Sequence, residues 1–339
     1  ACAELPQGAR NYRIREEYPA YALFAFQGNL REEIKPAIVR ENVIFNAGII
    51  CPESLMNDIQ PALWAWVNFG GVGARTRRGC GALLCDELAA PDINSFANWC
   101  AEMRKLYLLS NHDRDWPTLQ KSILLSQALP KPIPAWKATI DILYDMRQRP
   151  GVGRNKGAPN RPGRSRWPEA ESIRELIACQ LDSPGGRPAE LRQPDRQVPT
   201  PYFPRSEFGL PLIIELRGER LRGSRKDVKP SVQYSKNSDR LASPLILRPI
   251  GFKDGLYAKM ILLMRTPNLS SAYIKQGEGH LAHDVEISEE QIRNSALLNY
   301  PDSPLAVEGI TKAADIAHNS ALRSFIDYAL YNGFSEVWP

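Results

Sequence analysis

The chain has 339 residues, 43% hydrophobic and 24% charged, with a formal net charge of +5. That length gives two domains, or one large one, enough chain to bury a real core, and the composition is ordinary for a soluble globular protein. No apolar run is long enough to span a bilayer and no signal peptide opens the chain, which predicts a cytoplasmic protein.

In chain order, the runs at 21–27 and 43–50 are short, apolar and rich in aromatic and β-branched residues, and both read as strands. Ile59, Leu63, Trp66 and Val67 then recur at helical spacing behind Asp58 and Pro61, which suit a helix start. Gly70 is the natural stop for that helix. After a glycine-rich turn, 82–85 reads as a returning strand. Ile93, Phe96, Cys100, Met103 and Tyr107 form the apolar face of a helix beginning near Asp92. This order predicts part of an α+β sandwich with an antiparallel sheet. Prolines at 130–134 break the pattern, and a helix follows through Trp136, Ile140, Leu143 and Tyr144. The segment 147–166 is rich in Gly, Pro, Arg and Lys, holds no acidic residue, and reads as an extended basic arm. A proline-dense irregular stretch covers 181–204. Strand-like runs return at 210–216, 244–248 and 257–263. Ala321, Leu322, Phe325, Ile326, Ala329 and Leu330 line a closing helix. Two α+β units are expected, 1–134 and 135–339.

The six cysteines (Cys2, Cys51, Cys80, Cys85, Cys100, Cys179) contain no C-x-x-C pair and read as reduced thiols in a reducing interior. The most informative stretch is 70–81, where Gly70, Gly71, Gly73, Gly79 and Gly81 surround Arg75, Arg77 and Arg78. Glycine permits positive φ and close backbone approach, so such a loop can offer amides to an anion, and arginine adds planar donor forks suited to phosphate. Nucleotide-binding loops need a strand before the glycines and a helix after them, the reverse of the order expected here, and no G-K-[ST] follows. The plainer reading is a tight helix-to-strand turn with a solvated charged tip. Against it stand the entropic penalty of five glycines and the mutual repulsion of three arginines, both of which a bound polyanion explains.

The string F-G-G-V-G-A-R-T-R-R-G-C-G, from Phe69 to Gly81, resembles the glycine-rich signature of the RAMP superfamily of CRISPR-associated proteins. More narrowly, the chain resembles the first-numbered subunit of the Cmr (type III-B) effector. R-S-R-W-P-E-A, with Arg164, Arg166, Trp167 and, further on, Arg174, is similar to that family's central motif. F-G-L-P at 208–211 and R-L-A-S-P-L, opening at Arg240 and followed by Arg248, are similar to two later segments. The family usually begins with a T-P-x-F-x-G-G strand and turn and an R-x-W-W-R-like cluster. Neither precedes Tyr21, which implies a fragment or a piece supplied by another polypeptide.

The resemblance implies two ferredoxin-like (RRM-like) domains with antiparallel sheets, the first incomplete as it stands. It implies a non-catalytic subunit that holds the crRNA 3′ region and helps capture target RNA among other Cmr subunits, with no cofactor, metal or membrane partner. The residues themselves support RNA binding: arginines at the loop and along the arm (Arg147, Arg149, Arg154, Lys156, Arg161) suit phosphate contacts that carry no sequence information. Trp167 is either a base-stacking residue or a core tryptophan. Arg240 and Arg248 either face RNA or flank a strand, and the basic cluster at 217–229 reads as a solvated loop tip. The alternative is a RAMP-type endoribonuclease using His112, His280, His283 or His318 as general acid or base. His280 and His283, three residues apart beside Asp284, raise a zinc site, but no H-E-x-x-H or paired cysteines accompany them. A third class is a protein-only scaffold whose basic loop meets an acidic partner.

Overall fold

The computed structural model describes residues 3–5, 12–107, 118–148, 164–177, 195–220, 227–235, 237–265, 269, 271–276, 285–298, 300, 303–305 and 320–338. Most of the basic arm and all four histidines lie outside them. The fold is a mixture of helices and several antiparallel sheets, compatible with an α+β class. It divides into two units, and the division is not a single cut near residue 134. The first unit comprises 1–143, 245–265 and 333–339; the second comprises 144–244 and 266–332.

The first unit is built on a four-stranded sheet in the order Ser335–Trp338, Thr118–Leu129, Tyr257–Arg265, Leu245–Gly251. Every neighbouring pair is antiparallel. Ile123, Leu124 and Leu125 are consecutive and all buried, the continuous apolar run expected of a strand covered on both faces. Pro249, which has no amide proton, sits in the edge strand Leu245–Gly251, where an absent donor breaks no ladder. Helices Met56–Phe69 and Phe96–Leu106 contribute Trp64, Phe69, Phe96 and Cys100 to the core formed with Ile123, Leu125, Ile250, Met260 and Leu262. Trp64 meets Phe69 edge-on, with ring centroids 5.2 Å apart.

Three expected strands are not strands. Residues 20–26 form the helix Ala20–Leu23 and the 3-10 turn Phe24–Phe26, because Ala22 and Leu23 donate to the Pro19 carbonyl instead of to a sheet neighbour. Residues 43–50 have no regular element and lie exposed, Ile44 at 94%. Residues 82–85 are irregular too, and the Leu83 carbonyl is met by an arginine side chain rather than by a strand partner. Short apolar runs carry too few residues for periodicity to separate these outcomes.

The second unit carries a sheet in the order Val285–Ser288, Ser271–Gln276, Pro230–Gln233, Leu212–Ile213, again antiparallel throughout. Its core joins Ile173 and Ile177 of the helix Glu169–Ile177 to Phe203, Val232, Ala272, Ile274, Ile287 and Ile292.

Candidate nucleic-acid interface

The loop at 70–81 begins where the helix Met56–Phe69 ends. The Gly70 amide makes the last helical hydrogen bond, to the Trp66 carbonyl at 2.9 Å. The Val72 amide donates to the Gly81 carbonyl at 2.9 Å and closes the neck of the loop. Gly81 sits at φ +65, and a Cβ there would lie 1.9 Å from the Val72 carbonyl oxygen, so no other residue fits. Between the necks runs the 3-10 turn Thr76–Arg78, flanked by Arg75 at φ 61 and Gly79 at φ 81. Gly79 is also required by packing: its absent Cβ would fall 2.5 Å from Trp136 Nε1, and that indole donates to the Arg78 carbonyl at 2.6 Å.

The geometry corrects part of the sequence reading. The amides of Gly70, Val72, Arg78 and Gly79 all donate to the protein's own carbonyls. Of the loop's five glycines, Gly70 and Gly79 thus have their amides engaged within the protein, and the positive φ at Gly79 and Gly81 shapes the turn. Arg75, Arg77 and Arg78 are each half-buried. Arg75 lies over the Phe24 ring, its Cζ 4.6 Å from the centroid. Arg78 Nη1 donates to the Leu245 and Arg77 carbonyls at 3.3 Å each. Desolvation by burial holds the Arg77 guanidinium below its ordinary pKa. Gly71 is half-buried, and Gly73 lies at the exposed tip with nothing within 4 Å of its missing Cβ.

Arg248 is not at a surface. It is 1% exposed, and its guanidinium donates to the carbonyls of Val67 (3.1 Å), Gly70 (2.5 Å), Leu83 (2.8 Å) and its own neighbour Pro249 (3.0 Å). Burial lowers its pKa to about 9 by desolvation. Carbonyls at a helix C-terminus lack intrahelical donors and carry the negative end of the helix dipole. One cation thus joins the end of the helix, the start of the loop and the segment after it to the edge strand. The sequence signal is a lone arginine inside the apolar run L-I-L-R-P-I.

The R-S-R-W-P-E-A motif turns inward as well, within the second unit. Trp167 is fully buried, donates Nε1 to the Arg147 carbonyl at 2.9 Å and meets Phe208 edge-on, which favours the core reading over stacking. Arg166 and Arg174 are buried, and Arg174 and Arg164 both pair with the buried Glu171, at 3.2 and 2.7 Å. Arg205 pairs with Glu169 at 3.0 Å. Arg166, Arg174, Trp167 and Arg248 are thus buried within their own units, and of the alternatives left open for Trp167 and Arg248 the structure favours the core and the strand. Arg240, by contrast, has a side chain 82% exposed, 3.9 Å from Asp239.

Two residues that sequence reasoning missed now border the loop. Phe24 reads as a strand residue from its apolar neighbours, and Trp136 carries no motif; only spatial proximity marks either of them. Among the described residues no group of His, Cys, Asp and Glu is arranged to hold a metal ion, and no helix is long and apolar enough to cross a membrane.

Residues 9–84 match the family model of the RAMP superfamily, a stretch that takes in the helix Met56–Phe69 and the whole loop. That match supports a CRISPR-associated, RNA-binding protein. No curated protein and no solved structure matches the chain.

Proposed function

We propose that this chain is a non-catalytic RNA-binding subunit of a CRISPR ribonucleoprotein effector of the Cmr (type III-B) kind. It contacts the crRNA 3′ region or captured target RNA beside other effector subunits in cytoplasmic antiviral defence. The observation that carries this reading is the loop at 70–81. Three arginines stand on one rigid turn inside the stretch that matches the RAMP superfamily. Guanidinium contacts to phosphate oxygens give affinity without reading bases, as a protein that carries many different guides requires. The four segments that resemble the Cmr subunit follow one another in family order, which supports the narrower assignment.

A ferredoxin-like unit accords with the first unit's sheet. The first unit's strands Thr118–Leu129, Leu245–Gly251, Tyr257–Arg265 and Ser335–Trp338, numbered in chain order, stand in the sheet in the order 4-1-3-2, with the helix Pro132–Arg147 opening within that unit after the first of them.

The test is binding of labelled guide RNA and of guide–target duplex by the full chain over a series of salt concentrations. Arg75→Ala with Arg78→Ala is expected to weaken binding uniformly across sequences. It should flatten the dependence of log K on log[salt] by about one for each phosphate that the variant no longer neutralises. RNA recovered from the titrations is expected intact. A double variant that binds both RNAs as tightly as the parent removes the loop from the interface, and defined cleavage products would return the endoribonuclease reading.

A further inference from the structure

Phe24 stands on the 3-10 turn Phe24–Phe26, directly after the one-turn helix Ala20–Leu23. Ala22 and Leu23 are buried and pin this segment to the core of its unit, yet Phe24 itself is 56% exposed. The Arg75 guanidinium lies over the ring at 4.6 Å. Arg75 Nε is buried and has no hydrogen-bond partner among the described residues. The left-handed backbone at φ 61 aims this side chain, and its guanidinium rests on the ring. Trp66, 38% exposed, borders the same loop and donates Nε1 to the Gly71 carbonyl at 3.2 Å. An open aromatic ring beside a cluster of cations combines the two parts of a single-strand binding surface: a flat face for a base and charge for its phosphate.

We propose that Phe24 and Arg75 form a stacking platform for an unpaired RNA base whose flanking phosphates are held by the loop arginines. This rests on the RNA-binding reading above and adds the base, not only the backbone, to what the site recognises. Every base has a π face, so the platform adds affinity without sequence preference. A base inside a duplex stays in its own stack and cannot use it.

The experiment titrates the full chain with a labelled oligouridylate and with a phosphoribose oligomer of the same length that has no bases. Phe24→Ala is expected to weaken oligouridylate binding about 5- to 150-fold, the range that loss of one stacked base implies. Its salt slope should stay unchanged, because every phosphate keeps its cation. Phe24→Leu should weaken binding like Phe24→Ala, Phe24→Tyr should bind like the parent, and the abasic oligomer should not distinguish any of them. Equal melting temperatures confirm that the variants fold. If Phe24→Ala and Phe24→Leu bind oligouridylate like the parent while Arg75→Ala with Arg78→Ala flattens the salt slope, the platform is wrong and the loop stands. If that double variant also binds like the parent, the loop reading fails and takes the platform with it.

Discussion

A guanidinium at 1% exposure has surrendered its hydration, and hydrogen bonds must return what burial removes. Arg248 finds them on carbonyls alone, and two of those acceptors, Val67 and Gly70, are 181 and 178 positions away in the chain. The planar fork of arginine reaches several acceptors at once; the compact ammonium of lysine does not. Arg248→Met would leave the Val67, Gly70 and Leu83 carbonyls short of a donor, and each buried unsatisfied group is costly. We expect it to destabilise the protein by about 3 kcal/mol, read as a lower midpoint in urea unfolding, with Arg248→Lys recovering only part of the loss. Arg240→Ala, at an exposed side chain, is expected to leave the midpoint where it is. Both arginines lie in one segment, 240–248; solvent separates their roles.

At the scale of elements, the helix Glu169–Ile177 shows how a motif can be recognised and yet misread. Its charged residues suggest a surface, but Glu169, Glu171 and Arg174 are buried among partners. Around Glu171, desolvation pushes the carboxyl pKa up. Arg174, Arg164 and the Asp195 amide outweigh it and hold the group below its ordinary value of 4.5. A folded-state pKa below the unfolded one adds stability above pH 4.5 that is lost as pH falls through the folded value. Glu171→Gln is therefore expected to lower stability at neutral pH and to flatten the acid limb below 4.5, measured by denaturant unfolding across pH. The helix at 56–69 was legible because a long period repeats several times, although it buries Trp64, Val67 and Phe69 and leaves the expected Trp66 exposed. The runs at 21–27, 43–50 and 82–85 were not, since a strand exists only where a partner edge accepts it.

For the whole molecule, the order of residues in the chain and their grouping in space diverge. The strand Thr118–Leu129 has both its partners far downstream, in Tyr257–Arg265 and Ser335–Trp338. A fragment ending at residue 143 keeps that strand and neither partner, nor does it keep Arg248 to hold the loop. We expect residues 1–143 expressed alone to show no cooperative thermal transition by circular dichroism, whereas the full chain should show one. Had the two units followed the proline break near residue 134, that fragment would have been an independent domain.

By itself, the sequence determined the glycine–arginine loop, the helix that leads into it and the family signature they form, because local periodicity, turn chemistry and spacing are written in neighbouring residues. Tertiary structure alone decided which arginines meet solvent. Arg75 and Arg248 are the same residue type near the same loop, but one lies over an exposed phenyl ring and the other is enclosed by carbonyls. That difference depends on packing between segments distant in the chain, Phe24 with Arg75 in one case and Val67 and Leu83 with Arg248 in the other, and no local pattern encodes it.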